Sequence, residues 1–131
     1  MEKISFTVIS FMFFLGGCGS STPLADTPAN RLTLFNAIVA DVNMLNNVTP
    51  GSCPLSTGQY GDYSKLDPQT ATSDCTLADL TITKSVFDCL TNALCVQQNS
   101  AAAAQCEQTM AQGLAQVSTA CKTYLGSAPN P

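Results

Sequence analysis

The spacing of four cysteines limits the fold of this chain more than any other feature. Cys75 and Cys89 are 14 residues apart, and Cys106 and Cys121 are 15 residues apart. Each interval is close to four turns of an α-helix, so each pair would lie on one face of one helix. Facing residues in an antiparallel hairpin have position numbers with a nearly constant total, and here the totals are 196 and 195. The spacing therefore predicts a helical hairpin closed by Cys75–Cys121 and Cys89–Cys106.

Cys53 and Cys95 remain for a third bond. The six helical residues after Cys89 turn Cys95 about 120° away from the hairpin face, toward another helix. A Cys53–Cys95 bond would place the end of a first helix at the hairpin tip, so the first and second helices would run parallel. The competing bond Cys95–Cys106 fits this register less well, and other pairings of six cysteines stay open.

Sequence signals for the first helix surround an amphipathic stripe. Thr27 is suited to an N-cap and Pro28 to the first helical position. Apolar residues then recur at steps of three and four, namely Leu32, Phe35, Ile38, Val42 and Leu45. Residues 49–74 are rich in glycine and proline, which indicates a long crossover loop. Its tyrosines, Tyr60 and Tyr63, are interpreted as a lid over the bundle rather than as a contact patch.

The second and third helices follow that loop. Thr76 and Asp79 have the spacing of a capping box, which indicates the start of the second helix. The third is predicted from Ser100 to Leu125, with one continuous apolar stripe that includes both cysteines. The sequence therefore predicts an all-α, three-helix bundle over residues 28–125, stapled by three disulfides, with a flexible tail at 126–131.

The start of the chain predicts export. Residues 4–15 are largely apolar but shorter than the roughly 20 residues that span a bilayer, which is typical of a signal peptide. The run ends in Leu15-Gly16-Gly17-Cys18, which resembles the lipobox of bacterial lipoproteins. The resemblance implies that residues 1–17 are removed, that Cys18 carries a lipid including palmitate, and that residues 18–27 form a short tether.

The same resemblance implies a lipid-anchored protein of the bacterial cell envelope. Gly19 and Ser20 lack the acidic residue that retains lipoproteins in the inner membrane of enteric bacteria, which favours the outer membrane. The alternative is an ordinary signal cut near Gly19 or Ser20, which would release a secreted, effector-like protein. Either route leaves six cysteines, and six cysteines in a small exported chain predict three disulfides.

Composition excludes several function classes. The chain has no histidine and no Cys-x-x-Cys pair, so we expect no metal, no cofactor and no histidine-based catalytic site. A net charge of −4 without a basic patch is unfavourable for nucleic-acid binding. We therefore expect a non-enzymatic module for interaction with a protein partner or for envelope structure. The alternative is a carrier of a small apolar ligand between the helices and the tyrosine lid.

Overall fold

The computed structural model describes residues 23–58 and 60–131, and all regular structure in these two ranges is helical. The helices are α1 (Pro28–Leu45), α2 (Pro68–Asp74), α3 (Leu77–Thr91), α4 (Ser100–Ala115) and α5 (Thr119–Gly126). A 3-10 turn covers Tyr63–Lys65, and a wider π-helical turn, Asn92–Val96, continues α3. The expected all-α bundle is confirmed. The predicted signal peptide, Cys18 and the first part of the tether lie outside the described residues.

Three disulfides join the cysteine pairs that the register predicts. The bonds are Cys53–Cys95, Cys75–Cys121 and Cys89–Cys106, with Cα–Cα distances of 4.3, 4.6 and 5.7 Å. They close loops of 42, 46 and 17 residues. Each bond therefore restricts the unfolded chain, and the two long loops restrict it most.

α1 supplies the centre of the core. Its N-cap, Thr27, accepts a hydrogen bond from the Asn30 N–H at 3.2 Å, and Pro28 follows at the first helical position. The buried face of α1, which packs mainly against α3, consists of Phe35, Ile38, Val42 and Leu45, none more than 1% exposed. Full burial of such a side chain contributes about 1.5–3 kcal/mol. Packing of this stripe therefore holds α1 in place.

α1 and α3 run parallel, as the Cys53–Cys95 bond requires. Near their starts, the Asp26 carboxylate accepts a hydrogen bond from the Leu77 N–H at 3.3 Å. At mid-length, Lys84 of α3 contacts Asp41 of α1 at 3.0 Å. Beyond their ends, the disulfide joins the two following segments.

The long crossover contains a helix that the sequence analysis missed. Asp67 caps α2 by accepting from the Gln69 N–H at 3.1 Å, and Pro68 opens the helix. This is the same kind of signal that identified α1. Cys75 then lies in extended backbone between α2 and α3. The prediction that Cys75 belongs to the hairpin helix is therefore wrong, although its disulfide partner is correct.

The third helix is also not continuous. α4 ends at Ala115, and α5 begins at Thr119 with Ser118 as its N-cap. Asp79 of α3 holds this break, because its carboxylate accepts from Ser118 N at 2.8 Å and from Ser118 Oγ at 2.7 Å. α4 begins at Ser100, where the third helix is predicted to start, and its N-cap is Asn99. α5 packs against α2. The described residues thus form five α-helices where the sequence predicts three.

The end of the chain is tied to the crossover. Gly126 is the last residue of α5, Ala128 packs against the core, and the Pro129 carbonyl accepts from the Asp62 N–H at 2.7 Å. The boundary expected at residue 126 therefore falls inside the folded body.

Candidate functional site

Two segments at the end of the bundle where α1 and α3 finish lack charged residues. Residues 43–58 and 89–106, here called the bundle tip, contain none, although the chain has five basic and nine acidic residues. Asp41, Asp88 and Glu107 flank these segments without entering them. The bundle tip therefore offers apolar contacts and neutral hydrogen bonds rather than charged groups.

Apolar side chains are exposed on this tip. Val48 and Val96 are 66% and 72% exposed, and Met44 and Leu55 are 40% and 43% exposed. Within the described ranges, the other large apolar side chain that is exposed is Leu24. A groove of about 360 Å³ opens beside Met44 and Val48. A second, of about 320 Å³, lies between α3 and α4 near the Cys89–Cys106 bond.

Side-chain hydrogen bonds hold the loop of the bundle tip in one shape. Asn47 has a φ of 52°, a left-handed conformation that asparagine adopts more readily than most residues. Its side-chain oxygen accepts from Cys53 N at 2.8 Å, and its amide group donates to the Ser56 carbonyl at 3.3 Å. Ser56 Oγ in turn donates to the Leu45 carbonyl. With the Cys53–Cys95 bond, these contacts preorganise the exposed apolar residues.

The chain that enters α1 is attached at the opposite end. The Asn30 side-chain amide donates to the Ala25 carbonyl at 2.8 Å, and Arg31 forms an ion pair with Asp26. Arg31 also donates to the Thr72 carbonyl at 2.7 Å. The predicted tether of residues 18–27 is therefore held against the bundle from Ala25 onward.

The two loop tyrosines lie over the bundle, as the lid interpretation expects. Their rings meet the Phe87 ring edge to face, with centroids 6.0 Å away for Tyr60 and 5.7 Å for Tyr63. Burial raises the pKa of both phenols, and the nearby charge of Glu107 adds to the effect at Tyr60. A groove of about 290 Å³ opens beside Tyr63, against α4 and α5.

Asp79 is a buried carboxylate that links the start of α3 to the start of α5. It is 5% exposed and closes the predicted capping box, because its carboxylate accepts from Thr76 N at 3.0 Å while Thr76 Oγ1 accepts from Asp79 N. Burial opposes its ionisation, but the hydrogen bonds from Ser118 and Thr76 outweigh burial and lower its pKa. The sequence predicts the capping box. It does not predict the contact between Asp79 and Ser118, because Ser118 is expected to lie inside a continuous third helix.

A cluster of three charged side chains, Lys84, Asp41 and Asp88, lies where α1 meets α3. Lys84 contacts both Asp41 and Asp88, and burial raises the pKa of Asp41 although Lys84 opposes the shift. In the described part of the chain, Asp41 Oδ2 has no hydrogen bond of acceptable geometry, so its contact with Lys84 is ionic. This arrangement joins two helices and offers no nucleophile with an adjacent base.

The described residues contain neither a cluster suited to a metal ion nor a helix suited to span a membrane. No cluster of three or more histidine, cysteine, aspartate or glutamate side chains is positioned there to hold a metal ion. Among the helices of residues 23–58 and 60–131, none combines the length and apolar character that a bilayer span requires.

Comparisons with known proteins identify no relative of this chain. No family model matches the chain, and no curated protein or solved structure matches it. The bundle tip had one sequence signal that the sequence analysis did not use, namely two long runs without a charged residue.

Proposed function

We propose that this chain is an exported, lipid-anchored envelope protein that acts without catalysis, as an interaction module that binds a protein partner through the bundle tip. The observation that carries the proposal is the concentration of exposed apolar side chains on a rigid end that has no charge. Contiguous exposed apolar surface is characteristic of protein interaction sites. An envelope-structural role would use the same surface.

The partner that fits this tip is a protein surface that is itself uncharged. A charged group that docked on residues 43–58 or 89–106 would lose water without meeting an opposite charge. Uncharged polar side chains line both grooves of the tip. Thr49 lines the groove beside Met44 and Val48, and Asn92 and Gln97 line the groove near the Cys89–Cys106 bond. They supply neutral hydrogen bonds at the rim of an apolar contact.

The position of the bundle tip suits an anchored protein. The tether enters beside the starts of α1 and α3, and the 18 residues of α1 span about 27 Å toward the tip. The segment from Cys18 to Leu24 can extend no more than about 25 Å. An anchor on Cys18 would thus hold the opposite end near the membrane and leave the bundle tip accessible.

Lipidation at Cys18 is the first prediction. In a bacterial host, labelled palmitate should enter the wild-type chain, while Cys18→Ser should lose the label and accumulate as uncleaved precursor. Ser20→Ala is a matched control that leaves the lipobox-like residues unchanged. Equal labelling of Cys18→Ser would contradict the anchor and favour the secreted alternative.

The second prediction tests the bundle tip as the binding surface. Val48→Glu and Val96→Glu each place a charge at an exposed position of the tip, so the folded domain should retain its stability. Each should reduce capture of a partner from detergent-solubilised envelope about ten-fold or more, because a buried unpaired charge opposes binding. Gln112→Glu adds the same charge on an exposed position of α4 outside the tip and should capture like the wild type.

Partner capture by the three variants shows whether the partner binds at the bundle tip. A partner that is retained equally by Val48→Glu, Val96→Glu and Gln112→Glu would bind elsewhere, and the tip proposal would fail. Raising the salt concentration should leave the wild-type capture largely unchanged, since the tip has no charge to screen.

The carrier alternative has weaker support. The space between the helices is filled by side chains that are at most 1% exposed, including Phe35, Ile38 and Leu80. Tyr60 and Tyr63 contact Phe87, and the groove that opens beside Tyr63 lies against α4 and α5 rather than between α1 and α3.

A further inference from the structure

We infer that the groove beside Tyr63 binds a single-chain anionic amphiphile, a free fatty acid, with the alkyl chain along the groove and the carboxylate at Lys122. This inference does not rest on the function proposed for the bundle tip. It depends on the walls of the groove, on one lysine at its edge and on one glycine that leaves it open.

The walls are apolar and come from three parts of the chain. Tyr63 lies on one side, Leu114 and Val117 come from the end of α4 and the break after it, and Leu125 comes from α5. The volume of about 290 Å³ is at the lower limit of small-molecule sites, which hold roughly 300–1,000 Å³. A groove of this size fits one medium-length alkyl chain rather than a polycyclic lipid.

Lys122 selects the charge of the head group. Its side chain lines the groove, and its ammonium donates one hydrogen bond, to the Ala115 carbonyl at 3.3 Å. Among residues 23–58 and 60–131, no salt bridge involves Lys122. An ammonium has three donors, so two remain for a ligand. A carboxylate is the group that these donors and this charge complement.

Gly126 leaves the groove open. It lines the groove one turn after Lys122, and a Cβ atom built at this position meets no atom within 4 Å. A Cβ atom at this position therefore causes no clash. Because Gly126 lines the groove, Gly126→Phe is a variant designed to occlude it.

The test uses the purified full chain and a 12-carbon fatty acid that carries a photoreactive diazirine at its chain end. Irradiation should label the peptides that contain Tyr63 and residues 114–126, with saturation as the probe concentration rises. Dodecanoate should compete for the label, and dodecanol, which lacks the charge, should compete about three- to five-fold less well.

Variants locate the site and its charge. Gly126→Phe should raise the half-saturating probe concentration by about ten-fold or more, because alkyl contacts are lost. Gln108→Phe, at an exposed position of α4 outside both the groove and the bundle tip, should label like the wild type. Lys122→Gln should weaken labelling about three- to five-fold, and Lys122→Arg should restore it.

Three results would overturn the inference. Label spread evenly over the bundle would show that no groove is selected, and wild-type labelling of Gly126→Phe would place the ligand elsewhere. Equal competition by dodecanol and dodecanoate would remove the role of Lys122. If Gly126→Phe failed to fold, the comparison of Lys122→Gln with Lys122→Arg would still decide the question.

Discussion

Replacement of Cys75 and Cys121 by alanine is expected to lower the free energy of unfolding by about 4 kcal/mol. The bond closes a loop of 46 residues, and the loss of a cross-link of that length frees the unfolded chain by about this amount. Both cysteines are fully buried, so the packing around the bond is lost as well. The bond joins the segment between α2 and α3 to α5, and these elements should lose most protection.

Urea unfolding and hydrogen exchange measure this effect. The matched control is the Cys89→Ala, Cys106→Ala variant, whose bond closes 17 residues and should contribute about 3 kcal/mol. In the Cys75 and Cys121 variant, amide protection should fall first in α2 and α5, while the paired faces of α1 and α3 retain more. Uniform loss along all five helices would instead identify one cooperative unit.

Asp79→Ala is expected to lower the free energy of unfolding by about 2–4 kcal/mol. The carboxylate accepts hydrogen bonds from Thr76 N, Ser118 N and Ser118 Oγ, so one side chain caps α3 and holds the α4–α5 break. Hydrogen bonds to a charged group contribute about 1.5–3 kcal/mol each, and an N-cap about 1 kcal/mol. Glu107→Gln removes an exposed negative charge from α4 and should change stability by less than about 0.5 kcal/mol.

The contribution of Asp79 should depend on pH. Its folded pKa is lowered below the unfolded value of about 3.9, so the carboxylate stabilises the fold above that pH. The stabilisation is lost as the pH falls through the folded pKa. Asp41, whose pKa is raised by burial, shifts stability in the opposite direction. The stability difference between wild type and Asp79→Asn isolates the effect, and an equal difference at pH 7 and pH 3 would contradict it.

Local signals predicted local structure well. Thr27 and Pro28 placed the start of α1, and Thr76 and Asp79 placed the start of α3, because a capping motif is complete within four residues. The same reasoning could have found α2 from Asp67 and Pro68. The break before α5 had no comparable signal, since the apolar stripe continues through Val117 and Cys121 on both sides of it.

The candidate sites were less predictable. A run without charge can be read from the sequence, but the exposure of Val48 and Val96 depends on which side chains the fold leaves uncovered. The groove beside Tyr63 combines residues about 50 or more positions apart, so no local pattern marks it. Lys122 and Gly126 become candidate ligand contacts only because the fold places them in that groove.

The sequence by itself determined the helical class and the starts of α1 and α3, and it favoured the observed pairing of the cysteines over others that it left open. The pairing survived two errors in helix assignment because the order of the chain along the bundle stayed the same: Cys75 still lies beside α5, and Cys89 still faces Cys106. Only the tertiary structure decided where the third helix breaks, how Asp79 reaches Ser118 and which apolar side chains stay exposed. These features depend on contacts between distant residues, whose free energies are set by packing rather than by any local sequence preference.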